Sequence, residues 1–212
     1  QLTEEFNLYM HPVTPEDDNY KGAKNEFGSA RLKETFYVDV IPFFNAVRNQ
    51  IKLNGSILNE EFDVNRLNDT TYKGEAYDDI IFCQGYLNDK NPWFNFIPID
   101  QTKGQTLTIK STQLPEDVSL NRKCFVFPKG NDAFKIGATY EWNDPTTHIT
   151  PEGRKELLGH LSFITNEKVD VINQEAGIRP TTRDRRPTLG THPEFIHYHV
   201  FNGLGAKGYM LA

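Results

Sequence analysis

The chain has 212 residues, of which 37% are hydrophobic, 25% charged and 12% aromatic. That length holds one domain, or one whole domain with part of another, and the aromatic content excludes disorder as a description of the whole chain. A net charge of −6 makes it a poor general nucleic-acid binder, because phosphate contacts need Lys and Arg, and no apolar run approaches the roughly 20 residues of a bilayer-spanning helix.

The sequence starts at Gln1 with no signal peptide in view. Residues 11–34 are polar, contain Pro12 and Pro15, and read as loop. From Asp39 the pattern turns helical. Val40, Phe43, Phe44, Val47 and Ile51 recur at spacings of three and four, Pro42 suits a first turn, and Asn54-Gly55 supplies a stop. A short strand is expected at Ser56–Phe62. The continuous apolar centre of Tyr77–Gly85 predicts a strand buried on both faces, as in a parallel sheet. Gln105–Lys110 alternates, with Leu107 and Ile109 on one face. Lys123–Pro128 and Ala133–Tyr140 also read as strands, joined by a turn at Pro128–Asp132. Thr150-Pro151-Glu152 opens a helix whose apolar face is Leu157, Leu158, Leu161 and Ile164. Strands follow near Val169–Ile178 and Phe195–Phe201. The expected fold is mixed α+β in two lobes, with an antiparallel block inserted into a βαβ-like part. Cys83 and Cys124 are the only cysteines. They could form at most one bridge, and such sparse usage points to a reducing compartment, the cytoplasm.

Five groups of residues carry chemical signals. In Gly177–Gly190, Arg179, Arg183, Arg185 and Arg186 fall within eight residues. Arg179 stands apart, at a strand end and before a proline that holds it extended. A fixed guanidinium offers a planar fork to a carboxylate; a solvated loop with surface ion pairs is the other reading. Gly203-Leu-Gly-Ala-Lys-Gly208 follows a strand and opens a helix, so it is either an anion-facing turn or a plain glycine-rich one. His197-Tyr-His199 would place two imidazoles on one side of a strand, which suits a metal site or ordinary strand histidines. Trp93–Phe96 lines a pocket or packs a core. Glu141 and Trp142, beside Asp144, sit where a strand gives way to a loop.

Together these pieces resemble the FAD-dependent D-amino-acid oxidase and glycine oxidase superfamily. Phe36-Tyr-Val-Asp-Val with the helix after it, Asp78–Gly85, Lys103-Gly-Gln-Thr-Leu-Thr-Ile109 and Ile136-Gly-Ala-Thr139 with Thr150-Pro-Glu-Gly153 are similar to its runs. So are Gly177-Ile-Arg-Pro180 with Asp184, Pro187 and Gly190, and Gly203–Gly208 with Leu211-Ala212. Their order in the chain makes the resemblance specific over residues 36–212.

The resemblance implies FAD as cofactor, a small-molecule amine or amino acid as substrate, and hydride transfer to the flavin. It implies that Arg179 holds the substrate carboxylate, and that Gly203, Leu204, Gly205, Ala206, Lys207 and Gly208 face the flavin. Gly85 would lie near the cofactor, and Asp63 and Val64 near its adenine. The fold class it implies is an antiparallel substrate-domain sheet with helices plus an incomplete FAD-binding lobe. The corresponding division is residues 1–35 as loop and start of the substrate lobe, 36–90 as partial FAD-binding lobe, 91–180 as substrate-binding domain and 181–212 as a C-terminal segment of the FAD lobe. The family's N-terminal Rossmann unit has no counterpart here. The chain is therefore expected to be an excised piece of the FAD-carrying full-length protein that itself binds FAD poorly or not at all, is inactive alone and self-associates through exposed apolar surface near Ile80–Phe82. Gln84 replaces a small residue, the last turn lacks the family's polar side chain unless Lys207 supplies it, and Arg183, Arg185 and Arg186 are expected to be solvated. The alternatives are a non-catalytic module binding an organic acid in an aromatic and Arg-lined pocket, and a metal site at His197 and His199.

Overall fold

The computed structural model describes residues 4–15, 20, 22–142 and 144–211. The chain runs through α1 (Glu4–Tyr9), a hairpin of β1 (Met10–Val13) and β2 (Ser29–Leu32), and α2 (Val40–Asn54). A 3₁₀ turn at Val64–Arg66 leads into a small meander of β3 (Leu67–Asn68), β4 (Thr71–Tyr72) and β5 (Glu75–Ala76). Then come β6 (Ile80–Phe82) and a 3₁₀ segment at Gly85–Lys90. The longest strands follow: β7 (Asp100–Lys110), β8 (Leu120–Arg122), β9 (Cys124–Gly130), β10 (Ala133–Gly137), and, after α3 (Pro151–Leu161), β11 (Asp170–Thr181). Strands β12 (Thr188–Thr191) and β13 (Tyr198–Asn202) and a single turn, α4 (Gly208–Leu211), complete the described chain.

Two cores organise this mixed α+β fold. In the first, an antiparallel sheet of order β11-β7-β10-β9-β8 packs on α3. Alternation along β7 turns Leu107 and Ile109 to the same face, where both are fully buried with Phe134, Ile136, Val126 and Leu157. Each such side chain contributes about 1.5–3 kcal/mol when buried, so this cluster fixes the sheet against α3. Thr150 caps α3 by accepting the Gly153 N–H at 3.1 Å. In the second core, β12-β13-β6 form a three-stranded sheet with β13 parallel to β6. Its aromatic filling is Phe82, Phe94 and Tyr198, with Trp93 against Tyr198 at 4.9 Å.

Several expectations need correction. Residues 11–34 are not all loop, since their ends pair as the β1–β2 hairpin; Pro12 is tolerated there because an edge strand does not need its N–H. Residues 16–19 and 21 of that stretch, like Ala212 of the C-terminal motif, lie outside the described residues. No strand forms at Ser56–Phe62. Phe62 instead stacks on Tyr72 at 5.0 Å. Strand β6 is not buried on both faces, because it is an edge strand of three residues and Ile81 is 63% exposed. Residues beyond Gly137 stop pairing with β9 but continue the ladder along β7, with reciprocal bonds between Lys103 and Glu141 at 2.8 and 2.9 Å. The two cysteines form no bridge: Cys83 is exposed and Cys124 buried. Helix α2 forms as the periodicity requires, yet none of its residues is buried, and Phe43 and Phe44 meet Tyr209 at 6.1 and 5.8 Å. Among the described residues no helix is long and apolar enough to cross a membrane.

Candidate active site

Arg179 sits on β11 opposite Thr102 of β7. Its side chain lies across Gly104, where a Cβ would come within 2.2 Å of Nη2. Nη1 makes long contacts with the carbonyl oxygens of Lys103, at 3.4 Å, and Thr139, at 3.3 Å. The guanidinium carbon is 4.9 Å from the centre of the Tyr140 ring, a cation–π distance. Trp142 packs against Tyr140 with ring centres 5.3 Å apart. Burial lowers the Arg179 pKa from its ordinary value, and an arginine stays protonated under such a shift. No carboxylate among the described residues pairs with it.

A polar network underlies this seat. Gln105, fully buried, accepts from the Thr150 N–H at 2.8 Å and from Gln174 at 2.9 Å. It donates to Glu141 at 2.8 Å and to the Thr150 hydroxyl at 2.7 Å. Lys103 is equally buried, with Nζ 2.5 Å from Asp144 Oδ2 and 3.8 Å from Glu141 Oε2. The Lys103 ammonium, followed by the Thr146 donors, holds the Asp144 carboxyl far below its usual range.

The C-terminal turn meets this group at the end of β11. Pro180, next to Arg179, accepts the Gly205 N–H at 2.9 Å, and Thr181 pairs with Leu204. Gly203 has φ +73°, and a Cβ there would meet Thr182 Cγ2 at 2.6 Å, so the position takes only glycine. Asn202 joins two of the expected site residues. Its Nδ2 donates to the Gly85 carbonyl at 2.9 Å, and its Oδ1 accepts the Gly203 N–H at 2.8 Å. The N–H groups of Leu204 and Ala206 have no backbone partner among the described residues. The Thr181 hydroxyl, buried beside Gly205, has no partner either. Open donors at a glycine-rich turn suit the electronegative edge of a heteroaromatic cofactor. Lys207 is exposed.

The structure thus brings Arg179, Gly85 and the Gly203–Gly208 turn together. Asp63 and Val64 show no contact with that group. Asp63 instead accepts the Asn65 N–H at 3.0 Å, lies 3.4 Å from Arg66, and donates its own N–H to the Tyr72 hydroxyl at 3.1 Å. Arg183, Arg185 and Arg186 are exposed, as expected. The metal reading of His197 and His199 is corrected. Both imidazoles face one Asp79 oxygen, at 3.5 and 3.1 Å, and among the described residues no group of three such side chains could hold a metal ion. Phe94 is core, while Trp93 and Phe96 border an open cleft of about 400 Å³ with His192 and Phe195. Lys103 and Tyr140 were not legible as site residues. The available signal was a single lysine inside a strand bound for the core, where a charge has to be paired.

The sequence model of the FAD dependent oxidoreductase family matches residues 28–212. The chain belongs to this family of FAD-dependent oxidoreductases. Over 119 residues, 51% of the chain, it is 30% identical to the glycine oxidase of Bacillus subtilis (strain 168) and covers 31% of that protein. It is 31% identical over 122 residues, 53% of the chain, to the bifunctional protein ThiO/ThiG of Trichormus variabilis, of which it covers 19%. The chain therefore spans about a third or less of these curated relatives. In structure it resembles glycine oxidase from Bacillus cereus ATCC 14579, with a TM-score of 0.78 at 16% identity, covering 95% of this chain and 61% of the other. L-amino acid deaminase from Proteus vulgaris gives a TM-score of 0.62 at 15% identity, covering 94% and 56%. At such identities the two structures establish the shared fold. FAD is the cofactor of the FAD-dependent oxidoreductase family, and the open donors of the Gly203–Gly208 turn fit it.

Proposed function

We propose that this chain serves the FAD-dependent oxidation of a small amine or amino acid, with Arg179 holding the substrate carboxylate. The observation that carries the reading is a half-buried guanidinium, seated on backbone carbonyls and an aromatic ring, with no carboxylate of its own among the described residues. Such a cation recognises a carboxylate through two parallel donors. Tyr140 and Trp142 would keep water from one flank of that contact. FAD, when bound, supplies the acceptor for the hydride. The Leu204 and Ala206 N–H groups and the Thr181 hydroxyl would stabilise negative charge on the cofactor's edge. Gly203, Gly205, Lys207, Gly208 and Gly85 would border the same edge, and Asp63 and Val64 the cofactor's far end.

The proposal includes the division into lobes at residues 36–90, 91–180 and 181–212, inactivity of the isolated chain, its self-association, and a cytoplasmic setting. The apolar face of α2, none of whose residues is buried, supports the idea that further protein surface completes the FAD lobe.

The test is the visible spectrum of full-length protein purified without added cofactor, followed by steady-state kinetics of Arg179→Ala on a carboxylate-bearing amine. Flavin bands and a KM raised roughly ten- to a hundredfold are expected, since a lost charged contact is worth roughly 1.5–3 kcal/mol. A colourless protein that ignores added FAD overturns the flavoenzyme reading and leaves a module that binds an organic acid. An unchanged KM removes Arg179 from the site.

A further inference from the structure

We propose that the Lys103–Asp144 ion pair is a latch that sets the position of Tyr140 and, with it, of the Arg179 guanidinium. The proposal rests on the reading of Arg179 as the group that binds a carboxylate.

Between the end of β10 at Gly137 and the start of α3 at Pro151 the described residues form no helix or strand. Two of its anchors flank Trp142. Glu141 is held by the Lys103 backbone at 2.8 and 2.9 Å and by Gln105 at 2.8 Å. Asp144 is held by Lys103 Nζ at 2.5 Å. Trp142 lies between the anchors, and Tyr140 directly precedes the first. The Asp144 carboxylate divides its work. Oδ2 reaches across to Lys103, while Oδ1 accepts from the Thr146 N–H at 2.9 Å and its hydroxyl at 2.6 Å. One residue thereby ties the turn of the loop to strand β7.

The same stretch of β7 carries the seat of Arg179. The Lys103 carbonyl is one of its two acceptors, and Gly104 is the gap it crosses. The loop supplies the other acceptor, Thr139, and the stacked ring, Tyr140. Among the described residues the hydrogen bonds and ring contact of the guanidinium come from Lys103, Thr139 and Tyr140, and Lys103–Asp144 is a side-chain tie between β7 and the loop that carries Thr139 and Tyr140. An ion pair with one buried partner is a weak source of stability, because desolvation of the lysine offsets its attraction, but it specifies one geometry. Together with Glu141 Oε2 at 3.8 Å, Asp144 neutralises the buried lysine charge. Lys103 and Asp144 are accordingly positioning residues.

The test titrates acetate, as the simplest carboxylate, into full-length protein and reads its affinity by calorimetry. Arg179→Ala is the control. Asp144→Asn is expected to weaken acetate at least tenfold and to change Trp142 fluorescence, with far-ultraviolet circular dichroism unchanged. Asp144→Glu is expected to recover affinity to within threefold. The Asp144 side chain is 36% exposed, which favours folding of the asparagine variant. Should that variant not fold, the double variant Lys103→Met with Asp144→Leu replaces the pair by apolar groups, and the same tenfold loss is expected. Wild-type affinity in either folded variant overturns the latch, and leaves the role of Arg179 intact provided Arg179→Ala has lost binding. Acetate affinity that survives Arg179→Ala, or no acetate binding by the unaltered protein, overturns the reading of Arg179 and the latch with it.

Discussion

Nη2 of Arg179 lies 2.2 Å from where a Cβ on Gly104 would stand, so the arginine fills the space of a side chain that residue 104 does not have. The two positions are neighbours across paired strands, Gly104 facing Gly177 and Arg179 facing Thr102.

Gly104→Ala is therefore expected to act on binding more than on folding. The atoms it displaces are the far end of a flexible side chain, so the stability change should stay within about 1 kcal/mol. Carboxylate affinity should fall tenfold or more, as for loss of the arginine itself. Parallel urea denaturation and acetate titration of the variant measure the two effects.

Asn202→Ala is expected to do the reverse. Asn202 is 3% exposed and serves the Gly85 carbonyl at 2.9 Å and the Gly203 N–H at 2.8 Å. Its removal leaves the buried Gly203 N–H unpaired, at roughly 1–3 kcal/mol, and takes from the part-buried Gly85 carbonyl one hydrogen bond worth roughly 0.5–1.5 kcal/mol. Destabilisation of about 2–4 kcal/mol should appear as a lower urea midpoint at an unchanged slope.

Asp79 sets a pH-dependent contribution to stability. The hydrogen bond from His199, and after it that from His197, lower its pKa from 3.8. A carboxylate with a depressed folded pKa stabilises the fold above its unfolded pKa, and that stabilisation is lost as pH falls through the folded value. Asp79→Asn should therefore melt below the unaltered protein at pH 5 to 7, and the two curves should converge below pH 4. Melting temperatures measured across pH 2.5 to 7 check this, and a constant gap across that range would count against it.

The parts of the fold that were legible in the sequence are those where one local pattern dominates. Leu107 and Ile109 alternate because a strand has period two, and both are buried. Thr150-Pro151 opens α3 because cap and proline act within one turn. The strand expected at Ser56–Phe62 failed because apolar residues there serve a tertiary contact, Phe62 on Tyr72, instead of a ladder. Likewise Ile81 reads as core in a continuous apolar run, yet β6 gains only one neighbour strand and that residue stays bare. At the candidate site, the extended backbone of Arg179 was legible from the proline after it. Its seat was not, because Lys103, Thr139 and Tyr140 meet it across strands 40 and 76 residues apart in sequence.

The order of elements along the chain has a consequence for how the protein is made. Every strand and helix of the first core falls within residues 100–181, a single uninterrupted stretch. The second core is closed by β6 and β13, and the Asn202–Gly85 bond at their ends spans 117 residues. A ribosome delivers β6 long before its partner, so Phe82 and its aromatic neighbours wait uncovered while the first core can already assemble. Gly85 and Gly203 take their places only when β13 arrives, so this side of the described chain assembles after the first core.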